Sequence, residues 1–310
     1  MAVLKGNKGF YDFEVSDFLA ANLKRWLDYG LLEMGAYTNV AFSLPTSGYT
    51  NLKRTTDDRY GAVYEALGPN IIWESDVNPV GRNDKPIVAS GIYINNVFYT
   101  PSSSGSYPYY IDYRLGRVVF ASGIPQSTSV KMEYSFSDVA SYLVDEKQWK
   151  IITEGFTKGY DELQDLAPSG ISQYLKQNRV WLPCVVIDVG DRITEPLQLG
   201  GGEINSFTVD YHIFSDRAFT NRRISDTLNN QYQTVINLFN LDNMQWPYNY
   251  NGTIASGALT YPILASQNSI YFWDKAFISA TVGGPRPEST DIYRSEITHT
   301  IDVDRHMITY

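Results

Sequence analysis

Apolar residues recur at steps of three and four near the start of the chain and predict one amphipathic helix. Ser16 is a suitable N-cap for this helix, and Gly30 is a natural stop. Residues 43–58, rich in Thr and Asn and containing Pro and Gly, then predict a loop. The apolar positions of the helix are Leu19, Leu23, Trp26, Leu27 and Leu31.

From about residue 84 the pattern changes to short alternating segments, which predict a small antiparallel β module. Asn95-Asn96 suits a tight hairpin turn, because Asn tolerates a positive φ, and Gly116 suits a left-handed position in a second turn. Residues 139–144 are compatible with either a strand or a helix. The segments expected to carry strands are residues 91–100, 109–113, 117–120 and 129–136.

The second half of the chain alternates between helical and strand patterns. Residues 145–178 are mainly helical, with a break at residues 168–170, and a strand follows over residues 180–189. The next strand, Ser206–Phe214, places Phe207, Val209, Tyr211 and Ile213 on one face. A loop from Gly190 to Glu203 is expected between these two strands.

The end of the chain predicts one more helix and two more strands. Ile224, Leu228, Val235 and Phe239 form the apolar stripe of the helix. The two strands cover residues 269–282 and 292–303, and a turn containing residues 283–287 joins them.

The predicted fold class is therefore α+β. We expect an N-terminal helix plus a small antiparallel β-sandwich module over residues 1–137. Residues 138–310 are expected to form a C-terminal antiparallel sheet with helices packed on one face.

The formal net charge of −9 argues against a nucleic-acid-binding face. Residues 1–137 carry 12 basic and 13 acidic side chains, whereas residues 138–310 carry 13 and 21, so the acidity belongs to the second half. It serves solubility, or it lines a channel through which DNA slides without sticking. The apolar runs are strand-sized and the first 12 residues lack an apolar signal region, so no membrane insertion is expected.

Few side chains are suited to catalysis or metal binding. Cys184 is the only cysteine and lies in an apolar run, so a buried core position is expected. Asp210 and His212 share a strand face as an acid–base or metal pair, but no third ligand stands at a supporting spacing. His299 is in phase with the apolar residues of its strand and is expected to lie against the core.

Other motifs favour no reaction. The triple glycine of residues 200–202 lacks the Lys-Ser/Thr and the helix that a phosphate loop needs. The adjacent acid pairs, Asp57-Asp58, Asp145-Glu146 and Asp161-Glu162, diverge on a helix or a strand and make poor catalytic pairs. We therefore expect neither an enzyme nor a cofactor.

Residues 145–310 resemble the tail-terminator proteins of long-tailed bacteriophages. The supporting order is a Pro-containing strand (Arg179–Pro183), a Leu-Gly loop (Leu197–Gly201), an alternating strand (Phe207–Phe214), a helix opening with Arg222–Leu228, and a closing hairpin. The middle of the chain looks like small β modules of virion proteins. Terminators of simple tails are usually shorter, so a neck or connector protein with the same fold is also open.

The resemblance implies a virion structural protein that is assembled in the host cytoplasm. It implies a homohexameric ring at the head-proximal end of the tail, which caps the tail tube and contacts the tube protein, a head-side neck or connector protein and, in contractile tails, the sheath. DNA would pass through the lumen without specific binding.

The residues expected at interfaces lie in the Gly190–Glu203 loop, on the helix and around the last turn. A different virion role, in a baseplate, in fibre attachment or in glycan binding, is suggested by the tyrosines of residues 107–113. The candidate contact residues are Asp191, Arg192, Glu195, Leu197, Gln198, Glu203, Arg222, Arg223, Arg286, Glu288 and Asp291.

Overall fold

The protein is a mixed α+β structure with mostly antiparallel sheets, as the sequence predicts. The computed structural model describes residues 15–55, 62–101, 107–121, 123–158, 180–196, 203–239, 247–266, 273–287 and 292–305. The first helix, α1, spans Val15–Glu33. The β elements of the N-terminal module are β1 (Tyr37–Val40), β2 (Lys53–Thr55), β3 (Ala62–Glu65), β4 (Ile92–Ile94), β5 (Val97–Tyr99), β6 (Tyr109–Asp112), β7 (Arg117–Phe120), β8 (Val130–Lys131) and β9 (Tyr134–Ser137).

These short strands form a small β module around one apolar core. Its sheets have the orders β2-β3-β7-β6 and β5-β4-β8, and β1 pairs with β9. Both predicted turns are confirmed, because Asn95, Asn96 and Gly116 have φ values of 49°, 68° and 64°. The predicted strand over residues 129–136 is interrupted, since β8 pairs with β4 and β9 pairs with β1. A short 3₁₀ helix, Pro45–Thr50, and β2 occupy part of the predicted loop.

The second half of the chain builds a six-stranded sheet with the order β10-β11-β12-β15-β14-β13. Residues 139–144, for which strand and helix were both open, contain β10. Only the β10–β11 pair is parallel among the described strands of this sheet. The strands are β10 (Ala140–Leu143), β11 (Cys184–Pro196), β12 (Glu203–Ser215), β13 (Val235–Asn237), β14 (Trp273–Pro287) and β15 (Tyr293–Arg305).

Helices cover both faces of this sheet. Besides α1, the described helices are α2 (Lys147–Lys158), α3 (Ala218–Asn229) and the short α4 (Tyr261–Ser266). On one face, α1 and α3 pack on the alternating residues of β12, which are fully buried as predicted. On the opposite face, Trp149 and Ile152 of α2 pack against Phe214. The expectation of helices on one face is therefore wrong, because β11 is apolar on both sides at Cys184–Ile187 and both sides need cover.

Two helix ends differ from the prediction. Helix α1 continues past Gly30 to Glu33, and the chain turns at Gly35 with a φ of 79°. Helix α3 ends at Asn229 instead of reaching Phe239. The asparagines at its end are weak helix formers, and the β-branched pair Val235-Ile236 forms the edge strand β13 instead.

Helix α1 joins the two halves of the molecule. Its leucines belong to the core of the six-stranded sheet, although the helix precedes the β module in the chain. Tyr29 and Leu32 lie on another side of the helix and pack against Tyr37, Ile72 and Val77 of the N-terminal module. The buried leucines on the sheet are Leu19, Leu23, Leu27 and Leu31.

His299 is a fully buried residue of β15, as its phase in the strand predicts. Its Nε2 lies 3.1 Å from the carbonyl oxygen of Leu228 in α3. Its ring packs edge-on against the ring of Tyr211, with 4.7 Å between the ring centroids. Its Nδ1 has no hydrogen-bond partner among the described residues. Burial lowers the pKa of this imidazole to about 4, so His299 is neutral and donates from Nε2.

Truncating the face of α1 that meets the sheet tests the packing of this helix. We expect Leu23→Ala to lower the free energy of unfolding by about 2–5 kcal/mol, because Leu23 is fully buried and its removal leaves a cavity. The same substitution at Leu67, which is 43% exposed, should change stability by less than about 0.5 kcal/mol. Urea unfolding followed by circular dichroism measures both, and equal effects would contradict this packing.

His299 makes stability depend on pH. The unfolded chain binds a proton at His299 with an ordinary pKa of 6.5, whereas the folded pKa is about 4. Between these values the unfolded state binds more protons, so stability falls by about 3 kcal/mol as the pH drops from 6.5 to 4. His299→Gln keeps a donor for Leu228 but does not titrate. Denaturant unfolding from pH 4 to 7 should show a flatter profile for this variant than for the parent.

Candidate functional site

The two long hairpins of the six-stranded sheet close at opposite ends. The β11–β12 hairpin turns beyond the Pro196–Glu203 pair, at the end where Arg305 of β15 also lies. The β14–β15 hairpin turns beyond the Pro287–Tyr293 pair, beside Ser215. Strands of 13 residues separate these ends by about 40 Å. The two regions that the sequence predicts as contact surfaces therefore lie at opposite ends of one sheet.

In its described part, the expected loop from Gly190 to Glu203 is strand, since β11 continues to Pro196 and β12 starts at Glu203. One extra residue in β11 between Val189 and Arg192 forms a bulge at the position where the sequence predicts that a loop begins. Leu197 and Gln198 lie outside the described residues.

We call residues 190–196 of β11 the arm. Every residue of the arm is exposed, whereas Cys184–Ile187 of the same strand are buried beside β10. On one face of the arm, Arg192 Nε and Thr194 Oγ1 donate hydrogen bonds to Asn205 Oδ1, at 2.7 and 2.8 Å. Ile193, 65% exposed, and Glu195 alternate with them and occupy the other face. The arm thus presents an apolar side chain and a carboxylate together.

A groove runs along the outer side of α3. Phe219, Arg222, Arg223 and Asp226 follow one another at helical spacing and are all exposed, and Met34 at the end of α1 completes the groove. Its volume is about 410 Å³. Phe219 is 76% exposed and Met34 46% exposed, so the groove presents two large apolar side chains to solvent.

Arg222 and Arg223, two of the residues expected at interfaces, lie on this surface, whereas its apolar part was not predicted. A signal was present: Phe219 is nine residues before Leu228 and therefore half a helical turn out of phase with the buried stripe. Met34 gave no signal, because its place beside α3 depends on how α1 crosses the sheet.

At the opposite end of the sheet, the expected turn over residues 283–287 is also wrong. These residues pair with Tyr293–Ile297 as part of β14, and Arg286 stands directly opposite Arg294. Glu288 and Asp291 lie outside the described residues. The Gly-Gly and Pro residues indicated a turn. However, β13 pairs with β14 only at Lys275–Phe277, so residues 283–287 have β15 on one side and no described strand on the other, where Gly and Pro are tolerated.

A cleft of about 520 Å³ separates the N-terminal module from α1 and β10. Its charged groups mostly satisfy one another. Arg25 Nη1 lies 3.1 Å from Glu74 Oε1 with both side chains buried, Lys24 pairs with Glu146, and the Ser141 hydroxyl donates to Asp28. Burial raises the pKa of the Asp28 and Glu74 carboxyls.

Residues 247–252, a segment from the second half of the chain, close one side of this cleft. The Gly252 carbonyl accepts from the Tyr113 amide at 2.9 Å, and Arg114 Nη2 donates to the Tyr250 carbonyl at 2.9 Å. A side chain at Gly252, whose φ is 79°, would collide with the Asp112 carboxylate. The cleft is thus a polar seam that holds the two modules together.

The side chains considered for chemistry do not converge. Asp210 accepts a hydrogen bond from Thr298, while the His212 ring stacks on Trp149 at 4.9 Å and its pKa is lowered by burial. Cys184 is buried as predicted, and burial raises its thiol pKa to about 12. Within the described ranges no three His, Cys, Asp or Glu side chains are grouped as a metal site would require.

The remaining acid pairs add nothing to this picture. Asp145-Glu146 leads into α2, and Glu146 is engaged with Lys24. Asp57-Asp58 and Asp161-Glu162 lie outside the described residues. No described helix has the length and apolarity to cross a bilayer.

In comparisons with known proteins, no family model matches this chain and no curated protein matches it. Function is therefore inferred from the sheet, the arm and the groove themselves.

Proposed function

We propose that the protein is a virion structural protein of a tailed bacteriophage. In this proposal it forms a ring at the head-proximal end of the tail, caps the tail tube and joins the tube to the neck, with no catalytic role. The observation that carries the proposal is that the arm and the α3 groove, which we propose as contact surfaces, lie towards opposite ends of a single sheet. Identical copies can then meet head to tail, which is the type of contact that closes into a ring.

The order of elements supports a tail-terminator-like layout for residues 138–310. Two long antiparallel hairpins flank α3, and the central strands β12 and β15 bring them into one sheet. Helix α1 adds to the same layer. The β module of residues 1–137 is then free to contact the head-side neck protein or the tube protein, with the sheath as a further neighbour in contractile tails.

The charge distribution fits a ring through which DNA passes. Residues 138–310 carry eight more acidic than basic side chains. An acidic lumen repels the phosphate backbone over about 8–10 Å at moderate salt, so DNA would move through without specific binding. Assembly would take place in the host cytoplasm, and the final location would be the virion.

The ring proposal predicts a defined assembly. Light scattering of the purified full-length chain should give one oligomer with a mass of six copies of 35.1 kDa, or a monomer that forms such a ring on purified tail tubes. Electron microscopy should show the ring at one end of each tube. A protein that remains monomeric and does not bind tubes would contradict the proposal. Tubes from which the protein is omitted serve as the control.

A second candidate function is glycan binding by another virion part, and the cleft is the observation that favours it. Trp73, Tyr110, Tyr248 and Tyr250 line the cleft, and Tyr250 is fully exposed. Aromatic faces beside carboxylates suit sugars. The tyrosines that first suggested this role contribute less than expected, because Tyr109 is buried and donates to the Tyr99 carbonyl.

A glycan array separates the two candidates. Glycan binding predicts a specific signal that Tyr250→Ala lowers by about tenfold or more, as expected for loss of an aromatic contact. Tyr49→Ala, at an exposed tyrosine away from the cleft, should leave it unchanged. The ring proposal predicts no signal above background for any of the three proteins.

A further inference from the structure

We propose that the arm of one copy docks into the α3 groove of the next copy. This inference rests on the proposed ring and names the contact that would close it. The occupant is a second copy of this chain, because the two surfaces complement one another in both apolarity and charge.

The groove offers an apolar floor with a basic border. Phe219 and Met34 expose large apolar side chains, and Arg222 and Arg223 lie beside them. Asp226 lies one helical turn beyond Arg222, so the two basic side chains lie between Phe219 and this carboxylate. Asp138 is close enough to Arg223 to interact with it. A suitable partner therefore has an apolar side chain next to carboxylates.

The arm has that composition. Ile193 is 65% exposed, Glu195 shares its face, and Asp191 stands in the bulge that precedes it. Ile193 can cover Phe219 while the two carboxylates approach Arg222 and Arg223. The guanidinium–carboxylate pairs then fix the relative orientation of the two copies, and the apolar contact excludes water from the interface.

One copy cannot fill its own groove with its own arm. Asn221 of α3 donates to the Ile213 and Tyr293 carbonyls, which places Phe219 near the end of the sheet remote from the arm. Ile193 pairs with Ser206, seven residues from Ile213 along β12, or about 23 Å. Ile193 also points away from the face on which α3 packs, because its neighbour Arg192 pairs with Phe207 of that face. The contact is therefore between copies.

Cross-linking of the full-length chain tests the contact directly. We expect the Ile193→Cys, Phe219→Cys double variant to form a ladder of covalent multimers under a mild oxidant, ending at the mass of the ring. Cys184 does not interfere, because it is fully buried. Ile193→Cys combined with Tyr250→Cys, at an exposed site outside the groove, should give no ladder.

Charge reversal gives an independent readout. Arg222→Glu with Arg223→Glu reverses the groove, and Asp191→Arg with Glu195→Arg reverses the arm. Each pair should weaken self-association about tenfold or more, as loss of desolvated charge pairs does. A mixture of the two variants should regain assembly, because the intact arm meets the intact groove and the reversed arm meets the reversed groove in alternating copies. All four substitutions in one chain should restore the ring.

Lys53→Glu with Lys85→Glu is the matched control for the groove variant, since it lowers the net charge by the same amount at exposed sites of the N-terminal module. Three outcomes overturn the arm–groove contact alone: rings that form unchanged after charge reversal, cross-links confined to single chains, or no ladder from a ring-forming double variant. In each of these cases the parent still forms rings and the proposed function stands. A parent that neither forms rings nor binds tubes would instead refute the proposed function itself.

Discussion

The antiparallel pairing of β12 with β15 is the constraint on which the rest of the structure depends. Every residue of β12, from Glu203 to Ser215, pairs with a residue of β15 without a register shift. This pairing decides which side chains share a face, where each hairpin ends and which end of the sheet each turn occupies. A slip of one residue would move Phe207, Val209, Tyr211 and Ile213 out of the core.

The two halves of the molecule are held together by different means on the two sides of α1. Towards the sheet, the contact is apolar and continuous with the core. Towards the N-terminal module, tyrosines and an apolar cluster lie beside the buried Arg25–Glu74 pair. A buried ion pair adds little net stability but is costly to break, so it favours one relative placement of the two modules. A defined placement of the two modules is what the proposed ring would require, since each module would contact a different neighbour.

The proposed arm and groove also account for features that are otherwise unfavourable in a monomer. Ile193 and Phe219 are large apolar side chains left in solvent at opposite parts of the sheet layer. The bulge before the arm locally increases the twist of β11, as bulges do, while residues 192–196 remain paired with β12. Both features become useful once another copy covers them.

The sequence by itself determined the α+β class, the two tight turns at Asn95-Asn96 and Gly116, the buried face of β12 and the core position of His299. Each of these depends on local conformational preference or on a short period of apolar residues. It did not determine that residues 190–196 and 283–287 are strand, because Gly and Pro mark turns locally whereas pairing with a long neighbouring strand overrides them. Only the tertiary structure decided that α2 covers the second face, that α1 packs on the sheet built by the later part of the chain, and that Met34 lies beside Phe219. Contacts between residues far apart in the chain depend on sheet register and helix crossing, which leave no periodic trace in the sequence.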